Sequence, residues 1–240
     1  MRIKDSVALV TGSNRGLGAE YVRQLLDRGA AKVYAGARDP GSVKVDDPRV
    51  VPVKLDVTNA ADIAAVATTC TDLTLLVNNA GIALQSRVMA DGALETAQKE
   101  FDTNVWGVMN LSKACAPVLA ANGGGAIANV LSAVSWMSIK EVATYAMSKS
   151  AAWSLTNALR LELARQGTLV VAVHPAFIDT DMAAGVDAPK TTPQQVVERT
   201  LDGIEAGLPE VLADDTSAFV KNSLPKHIET FYPKVAAPRP

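Results

Sequence analysis

Val7-Ala-Leu-Val-Thr11-Gly12-Ser13-Asn14-Arg15-Gly16-Leu17-Gly18 joins an apolar, β-branched run to three glycines and the start of a helical pattern. Val7 to Thr11 reads as a buried strand, and a helix follows from about Gly18 to Arg28, with Gly29 placed to end it. Glycines at a strand-to-helix turn permit a tight bend and let backbone N–H groups approach a phosphate. The helix N-terminus adds donors and the positive end of a dipole for the same anion. The spacing is G-x-x-x-G-x-G and not G-x-G-x-x-G, so the pattern alone does not decide between a nucleotide site and a plain glycine-rich turn. The strand before it and the helix after it favour nucleotide binding.

Outward from this stretch, strand-like runs alternate with helical ones. Lys32 to Ala37, Val50 to Leu55, Leu73 to Asn78, Ala126 to Leu131 and Leu169 to His174 read as strands, and a last short one falls near Glu210 to Ala213, before a Pro-bearing tail. Asn59-Ala-Ala-Asp62 opens a short helix with capping residues, a long helix runs from about Ala93 to Ala121 up to Gly123-Gly124-Gly125, and Thr192-Pro193-Gln194-Gln195 has the form of a capping box. Such alternation predicts βαβ units on a parallel sheet, with no linker or repeat to divide the 240 residues. One connection breaks the rule. Eleven residues, with Pro40, Gly41 and Pro48 among them, separate Arg38 from Val50, which predicts a loop or a single turn in place of a crossover helix.

Composition narrows the function. A net charge of −2 and the lack of a basic cluster argue against nucleic acid. No apolar run approaches the roughly 18 residues of a membrane span, and the apolar start is too short for a secretory signal, so a cytoplasmic location is expected. Cys70 and Cys115 read as reduced packing residues, and His174 and His227 are too few for a zinc site; no metal is expected.

A second stretch carries the chemistry: Ser132-Ala-Val-Ser-Trp-Met-Ser-Ile-Lys-Glu-Val-Ala-Thr-Tyr145-Ala-Met-Ser-Lys149. Tyr145 and Lys149 share a helix face. A nearby ammonium is expected to lower the phenol's pKa by roughly 1–3 units and make it a usable acid or base. Ser132 closes the Ala126 to Leu131 strand, at the end where open α/β sheets bind ligands. A hydroxyl donor beside an acidified phenol suits carbonyl reduction. The plainer reading of the pair is a half-buried tyrosine with a solvated lysine, so the other motifs must support it.

They do so together. Thr11-Gly-x-x-x-Gly-x-Gly18, Asn78-Asn79-Ala80-Gly81, Asn104, Ser132 and Tyr145-x-x-x-Lys149 resemble the short-chain dehydrogenase/reductase family, from Val7 to about Met182. The resemblance implies one doubly wound, Rossmann-type α/β domain with a seven-stranded parallel sheet and helices on both faces, and a short substrate-side segment from about 182. It implies a nicotinamide dinucleotide, assembly into homodimers or homotetramers, and a small carbonyl or alcohol substrate. Gly12, Gly16 and Gly18 would line the pyrophosphate, with Ser13, Asn14, Arg15 and Leu17 in the same loop. Asp56 and Val57 would meet the adenine, and Asn79, Ala80 and Gly81 would border its ribose. Thr180, with Pro175 and Ile178, would hold the carboxamide. Ser132 would polarise the carbonyl, Tyr145 would exchange its proton, and Lys149 would lower the tyrosine pKa and bind ribose hydroxyls. Asn104 would anchor a relay water, or else act as a cap or kink residue in the long helix.

NADP(H) is the expected cofactor. Ala37 stands where NAD-binding members carry Asp, Arg15 and Arg38 could meet a 2′-phosphate, and Asp39 would point away along the loop. Three positions need watching. Pro175-Ala176 replaces the common Pro-Gly, which puts the backbone there in question; Ser135, ten residues before Tyr145, rivals Ser132 at the wrong offset; and His174 reads as a structural strand-end residue. Ala83, Leu84, Val134, Trp136, Met137, Phe177, Met182 and Val186 would wall an apolar pocket. A non-catalytic NADP-binding redox sensor or scaffold on the same fold is the alternative. An epimerase or dehydratase would need a larger C-terminal substrate domain.

Overall fold

A computed structural model describes residues 1–232. Seven parallel strands form one sheet in the order β3-β2-β1-β4-β5-β6-β7. They are β1 (Val7–Thr11), β2 (Lys32–Ala37), β3 (Val50–Lys54), β4 (Leu75–Asn78), β5 (Ala126–Val130), β6 (Leu169–His174) and β7 (Glu210–Leu212). The inner strands are mostly apolar because helices cover both faces, with Asn78, Asn129 and His174 among the buried polar exceptions. Val10, Val77, Ala128 and Val173 pack with Tyr21, Leu25, Leu201 and Ile204 on one side. Leu9, Leu76, Ile127 and Val170 pack with Ile63, Leu111, Leu119 and Leu159 on the other. Burial of this extent, at about 25 cal/mol per Å2 of apolar surface, is the main source of stability.

The chain moves outward through β1, β2 and β3, then returns to lay β4 on the far side of β1. The carboxyl ends of β1 and β4 therefore flank the switch point, where a doubly wound sheet has its crevice. On one face lie α1 (Gly16–Asp27) and α6 (Pro193–Glu205); α2 (Ala60–Thr69), α4 (Val108–Ala121) and α5 (Ala143–Leu163) cover the other. α3 (Ala93–Phe101) precedes α4, while α7 (Asp215–Asn222) and α8 (His227–Phe231) follow β7.

Local signals account for the boundaries. Gly29 takes φ +82°, and Ala30 N bonds Leu25 O at 2.9 Å, closing α1 as its position predicts. Asn59 caps α2 through Ala61 N, and Thr192 with Gln195 forms the capping box of α6. The short β2–β3 crossover is a single 3-10 turn, Pro40–Ser42, with Asp39 Oδ1 accepting from Gly41 N at 3.0 Å. Both cysteines are buried and free.

The long helix expected from Ala93 to Ala121 is not continuous. A π-helical turn, Asp102–Gly107, separates α3 from α4. α1 begins two residues earlier than expected, at Gly16, and β4 begins two later, at Leu75. Of the Pro-bearing tail, Pro225 lies in a 3-10 turn, and everything from 233 onward lies outside the described residues. Among the described residues no helix is long and apolar enough to cross a membrane.

Candidate active site

The glycine-rich turn is built from the end of β1. Gly12 and Gly16 have φ of +63° and +51°, where an L side chain is strained. A Cβ on Gly18 would sit 2.0 Å from Gly12 O, so only glycine lets α1 start this close to the turn. Ser13 donates through both N and Oγ to Gly36 O at 3.1 Å, which ties the turn to β2. Asn79 and Thr11 stitch β4 to β1: Asn79 Nδ2 donates to Thr11 O at 2.8 Å, and Thr11 Oγ1 accepts from Asn79 N and Ala80 N.

No side chain caps α1, and no acid stands in its first turn. Its first N–H groups are orphaned donors beside a concave turn, which fits an anion such as a pyrophosphate. Leu17 is buried beneath them and Asn14 is exposed. Thr180 faces this turn, since its Cγ2 lies 3.5 Å from where a Gly16 Cβ would be. Arg15 forms an exposed ion pair with Asp181 at 3.0 Å, which spans the mouth between the turn and the segment after β6.

Toward the β3 end, Asp56 accepts from Thr58 N at 2.9 Å and Oγ1 at 2.7 Å, and these bonds hold its carboxyl below the usual range. Val57 is buried against Gly107. Arg38 is exposed at the end of β2, on the side of Asp56, with Asp39 turned back into its own loop.

Ser132 caps a 3-10 turn, Ala133–Ser135, where its Oγ accepts from Val134 N at 3.3 Å. Ser135 Oγ accepts in return from Ser132 N, so Ser135 serves to hold Ser132. His174 is fully buried, its Nδ1 is 3.0 Å from Ser132 O, and burial pulls its pKa down to about 4, leaving a neutral ring. Trp136 stacks on that ring with centroids 3.8 Å apart, and Lys221 Nζ lies 4.6 Å from the Trp136 ring centroid. Trp136 is half-buried and packs on His174. Pro175 O accepts from Ala133 N at 2.8 Å, and Ala176 N donates to Asp214 Oδ2 at 2.7 Å. Ala176 is not among the positive-φ residues, so alanine fits here without strain. Ile178 bridges to Thr191 beyond.

Tyr145 and Lys149 stand on the first two turns of α5. The Ser132 side chain is a close neighbour of the Tyr145 phenol. Lys149 Nζ lies 5.7 Å from the Tyr145 ring centroid and donates to Val130 O at 2.8 Å. The electrostatics differ from expectation. Burial raises the Tyr145 pKa; the neighbouring Ser132 hydroxyl works against that rise and Glu100 adds to it. Lys149 is itself buried, which lowers its pKa to about 8. Desolvation is the leading influence on both groups.

Asn104 lies in the π turn and is buried. Its Oδ1 accepts from Ile82 N, and its Nδ2 donates to Ile82 O, both at 2.9 Å, and to Ser148 Oγ at 3.0 Å. Gly81 keeps the space between Asn104 and Lys149 open, for a Cβ there would lie 3.1 Å from Asn104 Oδ1 and 3.6 Å from Lys149 Nζ. Sequence reasoning missed Glu100, Asp214 and the Lys221–Trp136–His174 stack. Only Glu100 left a signal, one helical turn before Asn104.

A parallel sheet with a glycine-lined, anion-ready crevice at its switch point, beside a serine, a tyrosine and a lysine, defines a dinucleotide-binding oxidoreductase. Residues 6–191 match the short chain dehydrogenase family. A 3-oxoacyl-acyl-carrier-protein reductase of Vibrio cholerae is 32% identical over 199 residues, 80% of this chain and 81% of its own. An oxidoreductase of Staphylococcus epidermidis is 30% identical over 193 residues, 78% of this chain and 84% of its own. The crystal structure of a short chain dehydrogenase from Burkholderia cenocepacia in complex with NADP superposes with a TM-score of 0.94 at 37% identity, covering 99% of this chain and 100% of its own. The chain belongs to the short-chain dehydrogenase/reductase family.

Proposed function

We propose that the protein is an NADP(H)-dependent oxidoreductase that interconverts a ketone or aldehyde and an alcohol, with Tyr145 as general acid and base. The observation that carries this reading is the convergence of Ser132, Tyr145 and Lys149 beside the glycine-rich turn, with Lys149 Nζ 5.7 Å from the phenol ring and Ser132 next to the phenol. The dinucleotide, when bound, supplies or takes the hydride. Ser132 donates a hydrogen bond to the carbonyl oxygen and stabilises charge developing on it. Tyr145 gives that oxygen a proton in reduction and removes it in oxidation. Lys149 holds ribose hydroxyls and places its cation beside the phenol, and Asn104 orders the path by which protons reach Lys149.

Preference for the 2′-phosphate is supported by the uncharged Ala37, the exposed Arg38 and an Asp39 occupied in its own turn. The Burkholderia relative's NADP complex points the same way. Gly12, Gly16, Gly18 and Thr180 would hold the pyrophosphate and carboxamide end.

NADPH consumption over a panel of carbonyl compounds is the test. Apolar-bodied ketones or aldehydes are expected to turn over, faster with NADPH than with NADH. Tyr145→Phe is expected to lower kcat by roughly 10²-fold or more. Turnover of charged substrates alone would count against the pocket, and full activity of Tyr145→Phe against the mechanism.

A further inference from the structure

Glu100, on the last turn of α3, is completely buried. Its Oε1 accepts from Leu84 N at 2.8 Å, and its Oε2 has no hydrogen-bond partner among the described residues. One turn further on, Asn104 bonds both the N–H and the carbonyl of Ile82. Two side chains four residues apart thus grip alternate residues of the segment that leaves β4. A buried side chain whose second oxygen has no partner is costly to keep, which makes Glu100 a candidate for a role beyond packing.

α3 and the π turn pack against α5. The titratable groups α5 brings to this corner are Tyr145 and Lys149, with Nζ 5.7 Å from the phenol ring. The Ile82–Ser86 segment brings none. On its own helix Glu100 is flanked by the exposed Lys99, while Asp102 accepts from Gln98 Nε2 at 2.8 Å. Behind Ser132 stands His174, neutral and buried. Thr144 N, next to Tyr145, donates to Ser86 O at 3.2 Å, so the segment that Glu100 holds abuts the turn that carries the phenol, and a negative charge at Glu100 disfavours the phenol's ionisation.

We propose that Glu100 is a positioning residue that fixes the Ile82–Leu84 segment and sets the pH at which Tyr145 exchanges its proton. The inference rests on the reading of Tyr145 as the acid and base. A negative charge at Glu100 acts on the phenol against the Lys149 ammonium and favours the protonated hydroxyl, which is the form that donates in reduction.

Alcohol oxidation followed against pH, each variant normalised to its own plateau, tests the electrostatic part. Glu100→Gln keeps an acceptor for Leu84 N but removes the charge, so the rising limb is expected to move down by roughly one pH unit. An unmoved limb overturns the proposal. Tyr145→Phe separates the two readings. If it retains the wild-type rate and limb, the acid–base reading fails and the role of Glu100 falls with it. If Tyr145→Phe is inactive while Glu100→Gln leaves the limb in place, only the role of Glu100 is lost.

Hydrogen exchange of the Ile82–Ser86 amides needs no turnover. Glu100→Gln is expected to match wild type, and Glu100→Ala to exchange roughly tenfold faster, the loss of one bond to a charged acceptor. Equal exchange in all three proteins removes the clamp and overturns the proposal.

Discussion

Lys149 shows what a functional group costs a fold. An ammonium with 5% exposure and one carbonyl partner is held in the folded protein at a pKa of about 8, against an ordinary value of 10.5. Below pH 8 the lysine is charged in both the folded and unfolded states, and its burial is fully unfavourable. Between 8 and 10.5 the unfolded chain holds the proton that the folded one has lost, so the lysine's contribution to stability rises with pH. Lys149→Met is therefore expected to be more stable than wild type by on the order of 2 kcal/mol at pH 7 and inactive, with the gap closing as pH rises through that window. Denaturant melts of both proteins at several pH values check this, and a gap that stays constant with pH refutes it. The pairing of Tyr145 with Lys149 was legible from their spacing, and Ser132 from the strand before it. The direction of the Tyr145 shift was not, because desolvation depends on what the rest of the chain packs around the phenol. Arg15 illustrates the same limit: its partner Asp181 is 166 residues away, and no local pattern links them.

At the level of elements, the strands were readable because a parallel sheet covered on both faces needs continuous apolar runs. The reduced β2–β3 crossover was readable because too few residues were available to make a helix. The break in the long helix was not, since a π turn is composed like the helix it interrupts. Its place has a visible cause in packing. At Gly107 the helix comes so close to the end of β3 that a Cβ would lie 2.9 Å from Val57 Cγ2 and 3.0 Å from Val57 O. Five residues of this turn precede that contact and carry Asn104 inward to Ile82 and Ser148. Gly107→Ala is expected to destabilise the protein by about 1–3 kcal/mol through overpacking against a backbone oxygen. Thermal melting measures it, and an unchanged Tm would show that this approach can relax freely.

Across the whole molecule, several large apolar side chains stand exposed on the π turn, α4 and α5. Trp106 and Met109 are 44% and 37% exposed, and Met147 and Leu161 on α5 are 47% and 80% exposed. From these exposed apolar side chains we propose that the protein assembles into a homodimer or homotetramer. Light scattering is expected to give a multiple of 25.1 kDa, and a clean monomer at working concentration refutes it. The sheet's last strand and the helix after it also reach the chemistry from a distance. Glu210 of β7 holds Lys221 of α7 at 2.9 Å, Lys221 covers Trp136, Trp136 covers His174, and His174 meets the carbonyl of Ser132. Trimming the chain back to Ala213 would spare every group that borders the crevice, yet strip the weight from this column. The damage would surface as a serine hydroxyl no longer aimed, far from the cut.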